Sequence, residues 1–221
     1  MTVMQVMVLA RSAKVTVTAT ETDTVRAPHG RIEGHGDSLI VHGGSDTLDV
    51  EVPLGSDICI ATSSGKVRCC GSLGSVSVTS ASGKVVVERA SAAEIRTASG
   101  SIDIGIVDGT VGILTKSGTV EVDSAQRANV TTVSGKITID SVQHAEVNTV
   151  SGWVRLATRS KPTVKVRGVS ANIDVSVARD FAPSASLVSI TGKVRCDCAT
   201  GNDGEITIKT VSGGISVVSG G

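Results

Sequence analysis

At 221 residues the chain is long enough for one large domain or two small ones, and with one Trp, one Phe and no Tyr its core must be filled by small β-branched side chains. Lys plus Arg and Asp plus Glu balance at 21 each, which removes the usual electrostatic case for a nucleic-acid or membrane partner. No apolar run approaches the length of a membrane span.

The opening segment, MTVMQVMVLARSAK, is apolar for about eight residues, without a basic leader or a small-residue cleavage signature. It reads as a first strand rather than a signal peptide. The five cysteines, Cys59, Cys69, Cys70, Cys196 and Cys198, are odd in number, which agrees with reduced thiols in a cytoplasm. A leader missing from this sequence would move the expected location outside the cell. KVTVTAT, DSLIVHG and TLDVEVP alternate as strands, and HGRIEGHGD and HGGSD supply turns between them. Residues 1–60 are therefore expected to form a β-rich section that caps or leads into residues 61–221, with Pro53 and Gly55 at the junction.

From there a repeat takes over. Its glycines are Gly65, Gly83, Gly100, Gly118, Gly135 and Gly152, then a degenerate copy at Ala171, then Gly192 and Gly213, at intervals of 18, 17, 18, 17, 17, 19, 21 and 21 residues. After each glycine comes a short alternating strand, such as Val85 and Val87, Ile102 and Ile104, or Ile137 and Ile139. Five positions before several of them stands an apolar residue that opens a second strand: Ile95, Ile113, Val130 and Val147. Period-two alternation buries one face of each strand, and recurrent Gly excludes helix. The predicted fold is all-β: a single-stranded parallel β-solenoid (β-helix) of about nine coils, 17–21 residues each, continuous over residues 61–221.

The same phase places the recurrent word T-x-S-G. Thr132 and Ser134 turn inward while Thr131 and Val133 point out, and Thr149 and Ser151 repeat the pattern. The word reads as a corner, with hydroxyls bonded to backbone and a glycine where positive φ is needed. Inward Thr, with Lys116 interrupting the outward row, also argues against an ice-binding face. Near the end, VARDFAPSAS and DCATGNDGE read as loops, and the chain stops in repeat at TVSGGISVVSGG. The expectation is an uncapped last coil with an open backbone edge.

LDVEVPLGSDICIATSSGKV at residues 48–67, followed by recurrent T-x-S-G-x-V/I-x-V/I, resembles a bacterial β-strand-repeat family of unknown function, often labelled adhesin from its shape. The likeness runs from about residue 14 to 217. It implies a parallel β-solenoid and carries no catalytic residues over to this chain.

Several constellations invite chemistry. Cys196-x-Cys198, with Cys69-Cys70 and Cys59, suggests a metal site, but Cys69 and Cys196 stand where sister repeats carry Val or Ile, so core packing is the reading preferred. His29, His35 and His42 lie in glycine-rich turns without metal-ligand pairing, and His144 sits alone on a polar connection. Asp103 and Glu121 share an outward position, yet a chain with one Trp and no Tyr cannot easily build a polysaccharide groove. SGK lacks the glycine spacing of a phosphate loop. No catalytic, cofactor-binding or metal residue is assigned, and no cofactor or nucleic acid is expected. The candidate interaction surface is the basic stretch Trp153, Arg155, Arg159, Lys161, Lys165 and Arg167, which contains no acid, together with Phe181 in the first late loop.

Three functions follow, in order of preference. The first is a non-enzymatic structural scaffold or protein-interaction module, with self-assembly through its ends as one form. The second is an adhesin-like surface protein binding a glycan or host surface. The third is an enzyme with a site on a solenoid face, built from Asp103, Glu121 or His144.

Overall fold

The computed structural model describes residues 4–11, 14–44 and 46–220, apart from the His35 side chain. Among them there is no helix; the structure is all-β, as the alternation requires. The chain divides into two compact units, Met1–Asp108 and Gly109–Gly221.

The first unit opens with β1 (Gln5–Ala10) and β2 (Val15–Thr20), continues through a hairpin of β3 (Arg31–His35) and β4 (Ser38–His42), and then forms β5 (Leu48–Pro53), β6 (Asp57–Thr62), β7 (Lys66–Ser80) and the start of β8 (Lys84–Val177). β1 is the strand expected of the opening segment, whose first three residues lie outside those described. β1 pairs in parallel with both β4 and β6, and β2 in parallel with both β5 and β7. The earliest strands therefore sit one level inside β4 and β5. The repeat word is missing from residues 5–53, but their strands pair in register with strands that carry it.

β4 and β5 are covered by antiparallel chain. β3 pairs with β4 from Arg31↔His42 to His35↔Ser38, across a two-residue turn in which Gly36 has φ +64°. Beside β5, the Arg26 amide donates to Glu51 O at 3.0 Å and the Glu51 amide to Arg26 O at 2.8 Å. The sheet is thus mixed rather than purely parallel. A hairpin can return on the strand just made, so it covers an edge with a few residues, whereas a parallel strand needs a long crossover.

The first change of interval, from 18 to 17 residues, has a local cause between β7 and β8. Lys66 pairs with Lys84, but Ser72 pairs with Arg89, and the register shifts between Cys69 and Ser72. Gly71, at φ +81°, takes up the extra residue as a bulge, and its amide donates to Glu88 Oε2 at 3.2 Å.

In the second unit β8 continues to Val177 and is followed by β9 (Ser184–Ser189), β10 (Val194–Asp197), β11 (Glu205–Thr210) and β12 (Ile215–Ser219). β11 pairs in parallel with β8 on one side and β9 on the other, and β12 likewise lies between β8 and β10. The last segment of the chain is therefore not the open coil that its position in the sequence suggests. It is inserted, and among the described residues of this unit the strands with an unpaired side are β9 and β10. The corner glycines follow the same order, since Gly213 lies against Ala171 and Gly192 against Gly213.

The predicted inward residues are buried in both units, among them Val85, Val87, Ile95, Ile102 and Ile104 in the first, and Val130, Ile137, Ile139, Val147, Val154 and Leu156 in the second. Each such side chain contributes about 1.5–3 kcal/mol when fully buried. Without aromatic rings, that contribution comes from many aliphatic contacts along a narrow interior.

Candidate interaction surface

The T-x-S-G word is a corner. Gly65, Gly83, Gly100, Gly118, Gly135, Gly152 and Gly213 have φ between +123° and +146°, a region that L side chains disfavour. Just before them, Thr97 Oγ1 donates to Ser99 O at 3.0 Å, Thr115 to Ser117 O at 3.1 Å, Thr132 to Ser134 O at 3.2 Å, Thr149 to Ser151 O at 3.0 Å and Thr210 to Ser212 O at 3.1 Å. Each threonine is buried, and its hydroxyl is satisfied by the carbonyl two residues on.

The middle letter of the word points outward, and in the second unit it builds a surface. Val133, Val150, Val169, Val211 and Ile190 occupy this position and are exposed by 45% to 72%. Their corners are adjacent: Ser151 Oγ donates to Val133 O at 3.5 Å, a β-carbon built on Gly168 would lie 3.8 Å from Thr149 Cγ2, the Val211 amide donates to Val169 O at 3.2 Å, and the Thr191 amide to Val211 O at 3.0 Å. With a rung spacing of about 4.8 Å, five rungs make an aliphatic row on the order of 19 Å long. The same letter is Ser63, Ala81 and Ala98 in the first unit, and Lys116 where the second begins. The signal was present in the sequence as a change of residue at one repeat position, but reading the word only for its inward Thr and Ser passed over it.

The basic stretch is distributed over several positions. Trp153 is exposed; its Nε1 donates to Asp174 Oδ2 at 2.6 Å, and Arg155 Cζ lies 5.3 Å from the ring centroid. Asp174, twenty-one residues on, supplies an acid the stretch itself lacks. Lys165 lines a shallow groove of about 350 Å³ with Arg127, Asn129, His144 and Glu146, and Arg167 Nη1 lies 3.9 Å from Glu146 Oε1. Arg159 and Lys161 are exposed on the connection between these two groups. Phe181 is half-buried in the loop before β9, its amide bonded to Ala178 O at 3.1 Å.

The thiols fall into three environments. Cys69 is buried, as its repeat position predicts, and burial pushes its thiol up to about 12, with Cys70 and Glu88 adding to the shift. Cys196 also holds a core position, but among the described residues no strand pairs with the outer side of β10; this cysteine is exposed and the core reading fails there. Its Sγ lies 3.4 Å from that of Cys198, whose thiol is raised to about 11 by burial and then by the hydrogen bond with Cys196.

Among the described residues no three His, Cys, Asp or Glu side chains gather as a metal site. His42 Nε2 lies 3.5 Å from Glu33 Oε2, His29 is exposed, and the side chain of His35 lies outside the described residues. Asp103 Oδ2 is 3.3 Å from Lys84 Nζ, and Glu121 is exposed. No helix among the described residues is long and apolar enough to cross a membrane.

No curated protein matches the chain. A solved structure that does match, described as a "putative cell adhesion protein" from Clostridium sporogenes ATCC 15579, is 10% identical, with 99% of this chain and 94% of that chain covered and a TM-score of 0.21. The family model described as Toastrack DUF4097 matches residues 4–219. With that span, which contains both the residue 48–67 segment and every T-x-S-G corner, the chain belongs to the Toastrack DUF4097 family of β-strand repeats.

Proposed function

We propose that the chain is a non-enzymatic structural scaffold and protein-interaction module that presents the aliphatic row of its second unit to a protein partner. The observation that carries this is the row itself: Val133, Val150, Val169, Val211 and Ile190, exposed on adjacent corners. Scattered surface aliphatics are ordinary, but a contiguous apolar strip marks a contact surface. Trp153 and Arg155 follow Val150 around its corner and give the strip a polar, aromatic border of the kind interfaces favour. This reading includes a solenoid of about nine coils of 17–21 residues, supported by parallel pairing of β6 with β7 and of β7 with β8 in the first unit, and of β8 with β11 in the second.

The non-enzymatic part draws on the surroundings of the candidate groups. Asp103 is held by Lys84, and His144 shares its groove with Arg127, Lys165 and Glu146, whose Oε1 lies 3.9 Å from Arg167 Nη1. In both places the carboxylate is engaged by a cation rather than by a neighbouring base.

The test is comparative affinity capture from the native host, using the full chain and a Val150→Lys/Val169→Lys variant. Both positions are exposed, so the variant keeps its fold and circular dichroism spectrum. A partner retained by the parent chain and lost by the variant supports the reading. Equal recovery of every captured protein by both chains sinks it.

A further inference from the structure

The strands with an open side in the second unit, β9 and β10, also leave the end of the core uncovered. Val194 stacks on Ile215 but is 45% exposed, whereas Ile215 is buried, and Cys196 on buried Val217 is exposed in the same way. Repeat arrays need a covering layer at such an end, because an unpaired strand presents backbone donors and acceptors along with apolar side chains. In the first unit antiparallel chain covers β4 and β5. No described residue does the same for β10.

β10 carries the information that says what can cover it. Lys193 O accepts from the Ile215 amide at 2.8 Å, so in this parallel ladder Lys193, Arg195 and Asp197 direct their backbone groups to β12. Val194 and Cys196 direct theirs to the open side. Arg195 and Asp197 lie on one face, where Arg195 Nε and Asp197 Oδ2 are ion-paired.

A second β10 added antiparallel about a two-fold axis keeps each side chain on its own face, so the axis must pass through a residue. Through Arg195 or Asp197 it sets like charges opposite each other. Through Val194 it sets Arg195 against Lys193. Through Cys196 it sets Arg195 opposite Asp197 twice, and the outward N–H and C=O of the two Cys196 residues bond reciprocally. Opposite charges stabilise directly facing positions and like charges destabilise them.

We propose that β10 is a self-recognition edge: two copies of the chain pair antiparallel through Val194–Asp197, with Cys196 facing Cys196 across a two-fold axis. This specifies one partner surface within the interaction-module reading and rests on it, but uses a different part of the molecule from Val150 and Val169. An isologous contact closes on itself, so the product is a dimer and not a fibre.

The experiment uses the full chain carrying Cys59→Ser, Cys70→Ser and Cys198→Ser, which leaves Cys196 as its exposed thiol, since Cys69 is buried. Sedimentation over a concentration series and crosslinking with a short bis-maleimide are read together. The expected result is a concentration-dependent dimer that crosslinks through Cys196. Arg195→Asp lowers the crosslinked yield at least tenfold, and Arg195→Asp combined with Asp197→Arg restores it. Strict monomers, open-ended polymers, a dimer indifferent to Arg195→Asp, or a charge-swapped chain that folds without dimerising each overturn the proposal. Val150→Lys separates the two readings. A dimer abolished by it and untouched by Arg195→Asp places self-association on the aliphatic row and overturns the β10 contact alone.

Discussion

Gly152 rests directly on Gly135. A β-carbon built on Gly152 would meet the carbonyl carbon and the nitrogen of Gly135 at 3.0 Å, and its carbonyl oxygen closer still, while Gly152 itself has φ +126°. The obstruction is backbone in a hydrogen-bonded stack, so it cannot swing aside. Gly152→Ala is expected to destabilise the protein by about 3 kcal/mol through strain and overpacking together. Urea unfolding measures it, and a loss below about 1 kcal/mol would show that the corner relaxes freely.

The corner hydroxyl has a separate value. Thr149→Val keeps the shape but leaves Ser151 O without its donor at 3.0 Å, and the expected cost is about 1–2 kcal/mol. Thr149→Ser, which retains the donor, should recover most of it. If Val and Ser variants unfold at the same urea concentration, the hydroxyl contributes nothing.

Thr138 presents the opposite case. Its Oγ1 is shielded from solvent and has no hydrogen-bond partner, so the hydroxyl carries an uncompensated desolvation cost. Thr138→Val is expected to raise stability by about 1 kcal/mol, read as an increase in Tm. A decrease in Tm would mean that the hydroxyl is satisfied in solution.

Cys69 makes stability depend on alkaline pH. Burial raises its thiol from 9.0 to about 12, so between those values the folded chain holds a proton that the unfolded chain has released. Stability is full below the unfolded value and falls as pH rises toward the folded one, by about 2 kcal/mol near pH 10.5. Cys69→Val removes this component. Denaturant midpoints at pH 8 and 10.5 should therefore converge in the variant relative to the parent chain, and parallel behaviour of the two chains would refute the linkage.

Trp153, the single tryptophan, reports on its own tether. Asp174→Ala removes the 2.6 Å bond to its Nε1, and because Trp153 is exposed and Asp174 only half-buried the stability change should stay below about 1 kcal/mol. The expected signal is lower fluorescence anisotropy from a freer indole. Unchanged anisotropy would show that Arg155, 5.3 Å from the ring, holds it alone.

Alternation and glycine spacing were enough to determine the β structure, the inward sets such as Ile137 and Ile139, and the T-x-S-G corners, because each of these is decided within a few residues by pleat geometry and by φ. Tertiary structure alone decided which strand lies beside which at the two ends of the chain. Ala171, Gly192 and Gly213 are separated by equal intervals of 21, so spacing cannot distinguish the order 171, 192, 213 from the order 171, 213, 192 that is found. Likewise β1 pairs with Asp57–Thr62 and with Ser38–His42 at offsets that no repeat announces. A strand face specifies what must be buried, but several edges with the same pattern can receive it, and the choice among them depends on contacts made after the chain has turned back on itself. That choice also decided where the open edge lies, and so moved Cys196 from a core position to an exposed one.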